Sequence, residues 1–413
     1  MVGKTKRRII IAFKLIFAVL LLVWVLGRIH LHDYLVLRPN FGGNEVVLVQ
    51  DNRGVEGGNI TVSSGTLWWT GKEIHPAEHF QSVGEEGKII RPGLISCLSD
   101  LNWPVFIAGI LCFPLSLFIV ALRLKYLLSH QSMHIPTGEV TSYAFLGHLF
   151  NFLIPGMVSG DLVKAWYIIN AERHAGPVLV TMFVDRLLGL MELVLMAAVM
   201  VTFILLAGIV SIEQMKMPVI SVGVMILLTA GGLAFLLLPG LRKATHLEKI
   251  YSRTSIAHHF HAAGNSTRIY RSHPWILATG LALTVIAHLF YIGGVAVIGF
   301  SLGLDIPWYY YFVYLPLIYI IGAVPVTPGG VGLVENLYVS MLGAAVISEG
   351  YHCTVTEIVT LAVLARVVMM AWGLPGLHVL IGGRHKKMPP TVDLEEELER
   401  VEEEEMQEGR LTV

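Results

Sequence analysis

Ionisable and amide side chains stand inside segments of this sequence that are otherwise apolar. A charge at the centre of a lipid bilayer is costly, so such residues face a protein interior or a polar cavity and pair with one another. Arginine is well suited to binding phosphate, whereas a carboxylate can hold a cationic group or a proton. The candidate residues for substrate binding or transport are Asn151, Asp161, Asp185, Arg186, Glu192, Glu335 and Arg366.

Helical spacing relates several of these candidates. Asp185, Gly189 and Glu192 are separated by four and three residues, which places them on one face of a helix. Arg186 points about 100° away from Asp185, and Arg366 lies about eleven residues into an apolar run, close to the expected midplane. A structural alternative stays open, in which Asp185/Arg186 and Glu192/Arg366 are static salt bridges.

Composition places the chain in a membrane. Of its 413 residues, 54% are hydrophobic and only 14% are charged, and the mean hydropathy is +0.67. Soluble domains carry about 25% charged residues. The cysteines show no metal-binding spacing, and no P-loop, GxSxG or HExxH motif occurs. We expect no metal, no cofactor and no nucleic-acid partner, and whether the chain is an enzyme stays open, with a non-enzymatic role favoured.

Apolar runs of about 20 residues, long enough to span a bilayer, divide the chain. The predicted spans are 9–27, 104–128, 178–209, 217–239, 274–302 and 356–382. Short alternating runs among Gly-rich turns predict a few β-strands in the insert between the first two spans. The predicted domains are an N-terminal helix at 1–27, the insert at 28–103, a membrane domain at 104–383 and an acidic cytoplasmic tail at 384–413.

Two stretches of turn residues interrupt the apolar sequence, IPGMVSGDLVKAW at 154–166 and VPVTPGGVGLVEN at 324–336. The preceding segment, 141–154, is about 21 Å long as a helix, which is too short for a core of about 30 Å. The helix must therefore stop within the membrane and restart. Asp161 and Glu335 fall in the first turns of the restarted helices, where either could act only as a cap. The helix-break residues are Pro155, Gly156, Gly160, Pro328, Gly329, Gly330 and Gly332.

The positions of basic residues favour one topology. The loop 241–273 carries six Lys/Arg against one acid, and a basic cluster opens the tail, so both are expected in the cytoplasm with the two chain termini. This holds if 141–170 and 308–349 each enter the membrane and return. The result is an all-α polytopic protein with about six spanning helices, two opposed re-entrant hairpins and a small extracytoplasmic β insert. Eight simple crossings are the alternative, and the opposed hairpins suggest an inverted repeat.

Three motifs resemble a known family in the family's own order: NFLIPGMVSGDLVKAW, DRLLGLMEL and VPVTPGGVGLVE. They are similar to the flippase-like membrane domain of lysylphosphatidylglycerol synthases, over roughly 104–382 plus the first helix. The family has Glu where this chain has Asp185, and the insert 28–103 is not typical of it. The cytosolic synthase domain has no counterpart here.

The resemblance implies a multi-pass protein of the plasma membrane that moves a charged phospholipid or lipid-linked headgroup between leaflets. Its partners would be membrane lipids and a separately encoded lipid-modifying enzyme. Two alternatives stay open: a membrane subunit of a lipid-linked glycosyl or aminoacyl transferase, and a membrane scaffold.

Overall fold

The structure is a computed structural model that describes part of the chain. The acidic tail, most of the first predicted helix, and Pro155 and Gly156 lie outside the described residues. Those described are 16, 19–21, 23, 30–36, 46–48, 59–64, 71–76, 91–153, 159–172, 174–237, 269–270, 272–324, 326–351 and 353–381.

The insert contains the predicted strands. Four of them form an antiparallel sheet in the order β1-β2-β3-β4. The longest pairing runs from Asn59 opposite Pro76 to Ser64 opposite Gly71. The strands are β1 (Tyr34–Val36), β2 (Val46–Leu48), β3 (Asn59–Ser64) and β4 (Gly71–Pro76). A short helix, α1 (Leu94–Ser99), follows them in the chain.

The entry into α1 is tied to the segment before β1. The Gly93 amide donates to a carboxylate oxygen of Asp33 at 2.9 Å, and Tyr34 bridges Arg91 in antiparallel fashion. A Cβ atom at Gly93 would lie 2.3 Å from the carbonyl carbon of His32. Glycine is therefore required here for close backbone approach.

Among the described residues, four helices are long and apolar enough to cross a membrane: Trp103–Ser129 (α2), Ala175–Leu206 (α5), Pro274–Ser301 (α7) and the helical segment Val355–Leu380. The last begins with α11 (Val355–Gly373), continues as a 3₁₀ turn and ends in α12 (His378–Ile381). The predicted span at 217–239 is the helix α6, Lys216–Leu237. These elements confirm an all-α polytopic membrane protein.

The first predicted break separates two short helices, α3 (Thr137–Leu153) and α4 (Ser159–Glu172). Their 17 and 14 residues correspond to about 25 and 21 Å. A Cβ at Gly160 would lie 1.9 Å from the Gly147 carbonyl oxygen. Tyr143 and Tyr167 stack with ring centroids 5.3 Å apart. The two helices therefore run back along each other as a hairpin.

The second break follows α8 (Trp308–Gly322). A 3₁₀ turn at Pro328–Gly330 leads into the segment Leu333–Ser348, which is built of α9 (Leu333–Leu337), a π-helical turn and α10 (Ala344–Ser348). Gly329, Gly330 and Gly332 have φ values of 56°, 69° and 76°. These left-handed conformations explain why glycine occupies the turn.

The two ends of this second hairpin meet. Tyr310, near the start of α8, donates a hydrogen bond to Glu349, just after α10. The hydroxyls of Tyr309 and Tyr351 are 3.3 Å apart. The chain thus leaves the hairpin where it entered, as the re-entrant topology predicts.

The chain forms two compact units. The first comprises 1–110, 294–311 and 331–367, and it contains the sheet. The second comprises 111–293, 312–330 and 368–413, and its core is centred on the α3/α4 hairpin, with Tyr143, Leu146, Trp166 and Ile168 buried. In this second unit Gly376 lies against α3, since a Cβ there would be 2.3 Å from the Leu146 amide nitrogen.

Candidate functional site

Asp161 lies at the centre of a cluster of charges at the start of α4. It occupies the first turn of that helix. Its Oδ1 is 2.6 Å from Nζ of Lys164, and its Oδ2 accepts a hydrogen bond from Nη2 of Arg186. One carboxylate thus meets two cations, so the three side chains together carry one net positive charge.

Burial differs among the members of this cluster. Lys164 is buried, so it does not extend along the helix to a membrane surface, as long basic side chains often do. The Arg186 side chain is 39% exposed. The positive end of the α4 dipole adds to the same field. The cluster therefore presents partly accessible positive charge to anything that reaches the break.

Asn151 holds the start of α4 against the last turn of α3. Its Oδ1 accepts a hydrogen bond from the Gly160 amide at 3.0 Å, which satisfies one of the free N–H groups at that helix terminus. This hydrogen bond explains why the motif NFLIPGMVSGDLVKAW contains both Asn151 and Gly160. It assigns Asn151 the role of positioning the Asp161 cluster.

The second break lies beside the same turn of α3. A Cβ at Gly329 would be 3.1 Å from Cα of Phe152 and 3.2 Å from the carbonyl oxygen of Asn151. One turn earlier in α3, His148 donates from Nε2 to the Met369 carbonyl oxygen at 3.1 Å. His148 is thus a partly buried hydrogen-bonding group.

Asp185 pairs with a cation that the sequence analysis missed. Nε of Arg123, in α2, lies 2.8 Å from Asp185 Oδ1, and Nη1 of Arg123 donates to Oγ1 of Thr284 at 2.8 Å. The static salt bridge that stayed open for Asp185 is formed with Arg123 and not with Arg186, because neighbouring residues on a helix point about 100° apart. Arg123 lies within a predicted span, and that position alone could have identified it.

Glu192 lies two helical turns beyond Asp185 on the same face of α5. It is fully buried, and its Oε2 contacts Nδ1 of His288 in α7. Its Oε1 has no hydrogen-bond partner within the part of the chain that the structure describes. The structure pairs Glu192 with His288 and Arg366 with Glu335.

Gly189 lies between these two acids on the same helix face, as predicted. A Cβ built there would meet no atom of the described residues within 4 Å. The glycine therefore leaves open space on the face that carries Asp185 and Glu192.

In the first unit, Glu335 combines a cap with an ion pair. Its Oε2 accepts a hydrogen bond from the Gly332 amide at 2.8 Å, at the start of α9. Its Oε1 accepts a hydrogen bond from Nε of Arg366. The capping role is therefore real but uses one oxygen only, while the other binds a guanidinium.

The sequence-predicted residues thus form separate groups. Asp161 and Arg186 come together with Lys164, Asp185 with Arg123, Glu192 with His288, and Glu335 with Arg366. That Asp161, Arg186, Glu335 and Arg366 share one cavity stays a prediction. Among the described residues no group of three or more His, Cys, Asp or Glu side chains could hold a metal ion.

Comparison with known proteins connects this arrangement to one family. Residues 93–375 match the family described as lysylphosphatidylglycerol synthase TM region. The matched range includes both helix breaks and all four groups of charges. No curated protein matches the chain.

Proposed function

The chain belongs to the lysylphosphatidylglycerol synthase TM-region family, and from this premise we propose that it translocates a charged phospholipid or lipid-linked headgroup between the two leaflets. The proposal places the protein in the plasma membrane with both termini in the cytoplasm. The acyl chains stay in the bilayer while the headgroup crosses through protein.

The charge cluster around Asp161 is the observation that carries the proposal. Two cations lie on one carboxylate there, which places two groups that can bind phosphate side by side. Arg186 keeps more than a third of its side chain exposed. Helix N-termini and arginine guanidinium groups are both established phosphate ligands. An anionic headgroup would displace part of the Arg186–Asp161 contact and bind to Arg186 and Lys164.

The helix breaks explain why polar groups would be needed inside the membrane. Backbone without helical hydrogen bonds is tolerated inside a membrane only where protein covers it or where it lines a polar cavity. Opposed broken helices whose ends face a substrate are common in transporters. The contact of Gly329 with Asn151 and Phe152 supports a common region for both breaks.

The pair formed by Glu335 and Arg366 is the second candidate contact for the headgroup. In our proposal Arg366 binds phosphate, and Glu335 binds a cationic substituent of the headgroup. The Arg123–Asp185 pair has a different role, because both side chains are buried and Arg123 is bound to Thr284 as well. It orients α5, the helix that carries Arg186.

A separately encoded lipid-modifying enzyme is the partner that fits this role. Such an enzyme would produce the lipid at the cytoplasmic leaflet, and this protein would then move it. The charged groups at the helix breaks would bind the headgroup in this protein, and the chemistry on the lipid would belong to the partner.

The test is lipid exchange in reconstituted vesicles. A fluorescent phosphatidylglycerol in the inner leaflet becomes accessible to an external quencher only when it crosses. Vesicles that contain the protein should lose the protected fraction faster than protein-free vesicles. Arg186→Gln should slow the exchange about tenfold or more, because a charged hydrogen bond contributes about 1.5–3 kcal/mol. Lys216→Gln, at an exposed position, is the matched control.

A further inference from the structure

A buried acid and a histidine meet near the middle of two long helices. Glu192 lies about 26 Å from the start of α5, a 32-residue helix of about 48 Å. His288 lies about 21 Å from the start of α7, a 28-residue helix of about 42 Å. Both residues are thus placed deep within segments that can cross a membrane.

The surroundings of Glu192 are poor for an isolated negative charge. The residue has no exposed surface. Its Oε2 contacts His288 Nδ1, and its Oε1 finds no partner among the described residues. A buried carboxylate without full hydrogen bonding is strongly disfavoured unless its charge is neutralised. Among the described residues, the charge of Glu192 can be neutralised in direct contact by a proton that the acid or the imidazole holds.

The other charged and titratable groups nearby are committed elsewhere. On α5 itself, Asp185 is bound to Arg123 of α2, so these two charges balance. On α7, the ring of Tyr291 lies 6.3 Å from the ring of His288. Tyr319 of α8 contacts Tyr291, with ring centroids 5.2 Å apart. No lysine or arginine pairs with Glu192 among the described residues.

We propose that Glu192 and His288 form a proton-binding site that couples lipid movement to a proton gradient. The unloaded pair is a Glu192 carboxylate with a neutral imidazole; its net charge of −1 is the disfavoured state that drives the uptake of a proton. One proton enters at the imidazole, whose side chain is 21% exposed, and the pair becomes neutral with the proton shared between Nδ1 and Oε2. Release of that proton to water restores the unloaded pair, so protons and charge balance over a cycle.

The position of the pair connects it to the headgroup site, and this step rests on the proposed function. Arg186 and Glu192 belong to the same helix and are separated by fewer than two turns. Binding of an anionic headgroup at Arg186 would raise the local negative potential and favour proton uptake by the pair. Proton loading and headgroup binding are thereby linked, and each favours the other.

The experiment compares lipid distribution with and without a pH difference across reconstituted vesicles. In the wild-type protein, a difference of one pH unit should shift the steady-state leaflet ratio of fluorescent phosphatidylglycerol by about tenfold for one proton per lipid. Glu192→Gln and His288→Gln should both abolish the shift, and His288→Gln should keep exchange without a gradient. Glu213→Gln and His134→Gln, at exposed positions, should keep the shift.

The outcomes separate the two proposals. If the wild-type protein exchanges lipid but its leaflet ratio ignores the pH difference, proton coupling is wrong and translocation stands. If the wild-type protein exchanges no lipid, translocation is wrong, and proton binding is decided by titration of purified protein. Wild type should then bind one proton more than Glu192→Gln, and equal titration curves would overturn the site. Should Glu192→Gln fail to fold, His288→Gln serves for both comparisons.

Discussion

Gly329, in the second helix break, lies directly against the backbone of Asn151, in the last turn before the first break. A Cβ atom at Gly329 would be 3.2 Å from the Asn151 carbonyl oxygen. The same Asn151 caps α4 through the Gly160 amide. A single turn of α3 therefore contacts both interruptions, and the position of Asp161 at the start of α4 depends on it.

The first prediction concerns this contact. Gly329→Ala should destabilise the protein by more than the about 1–2 kcal/mol that a left-handed conformation costs an L-residue, because its neighbours must also move. Gly303→Ala is the matched control, since Gly303 has φ +72° and a Cβ there meets no described atom within 4 Å. Thermal unfolding of the purified variants measures both. Equal losses of stability would show that the contact with α3 carries no weight.

The second prediction concerns the buried pair of Arg123 and Asp185. Arg123→Leu should lower stability by about 3–5 kcal/mol, because it leaves the Asp185 charge buried without a partner. The double variant Arg123→Leu with Asp185→Leu should recover much of that loss, since it leaves no charge behind. Unfolding in denaturant gives the comparison. If the double variant were as unstable as the sum of its two single variants, the two residues would not be energetically coupled.

The helix breaks were predictable because their signals are local. Pro and Gly act on the backbone where they stand, and α3 and α4 end and begin within a few residues of the expected points. Charge counting also predicted that the chain turns back between 308 and 349, and the contact of Tyr310 with Glu349 shows that the two ends of this hairpin meet, while its re-entrant course in a membrane stays a prediction. The strands of the insert were likewise visible as alternating runs between turns.

Partner choice among the charges could not be predicted, because it depends on which helices pack together. Arg186 stands next to Asp185 in sequence but pairs with Asp161, 25 residues away. Arg366 pairs with Glu335, 31 residues away. Arg123 and His288 were not recognised as partners, since nothing in their own helices indicates which neighbour carries the matching acid.

The third prediction concerns the two oxygens of Glu335. Glu335→Gln should keep the fold, because the amide oxygen can still accept the Gly332 hydrogen bond. It should reduce lipid exchange, because the charge opposite Arg366 is lost. Arg366→Ala should reduce both stability and exchange, since it leaves a buried carboxylate unpaired. Thermal stability and vesicle exchange are measured side by side, and wild-type exchange in a stable Glu335→Gln protein would leave capping as the only role of this acid.

The fourth prediction is topological. Single cysteines at Glu248 and Glu395 should label only from the cytoplasm, and those at Gly65 and Glu349 only from outside. The background should be low because burial raises the pKa of the native Cys97 thiol to about 12, which keeps it protonated at neutral pH. Labelling in intact cells is the measurement. Access to position 248 from outside would replace the re-entrant arrangement with eight crossings.

The central claim is that the Asp161–Lys164–Arg186 cluster binds an anionic headgroup, and the ratio of exchange rates for two lipids tests it most directly. Wild-type protein in vesicles should exchange fluorescent phosphatidylglycerol about tenfold faster than the phosphatidylcholine analogue. Arg186→Gln should remove this preference by slowing the exchange of phosphatidylglycerol alone. Its thermal stability should equal that of Lys216→Gln. Equal rates for both lipids in the wild-type protein, unchanged by Arg186→Gln, would contradict the account.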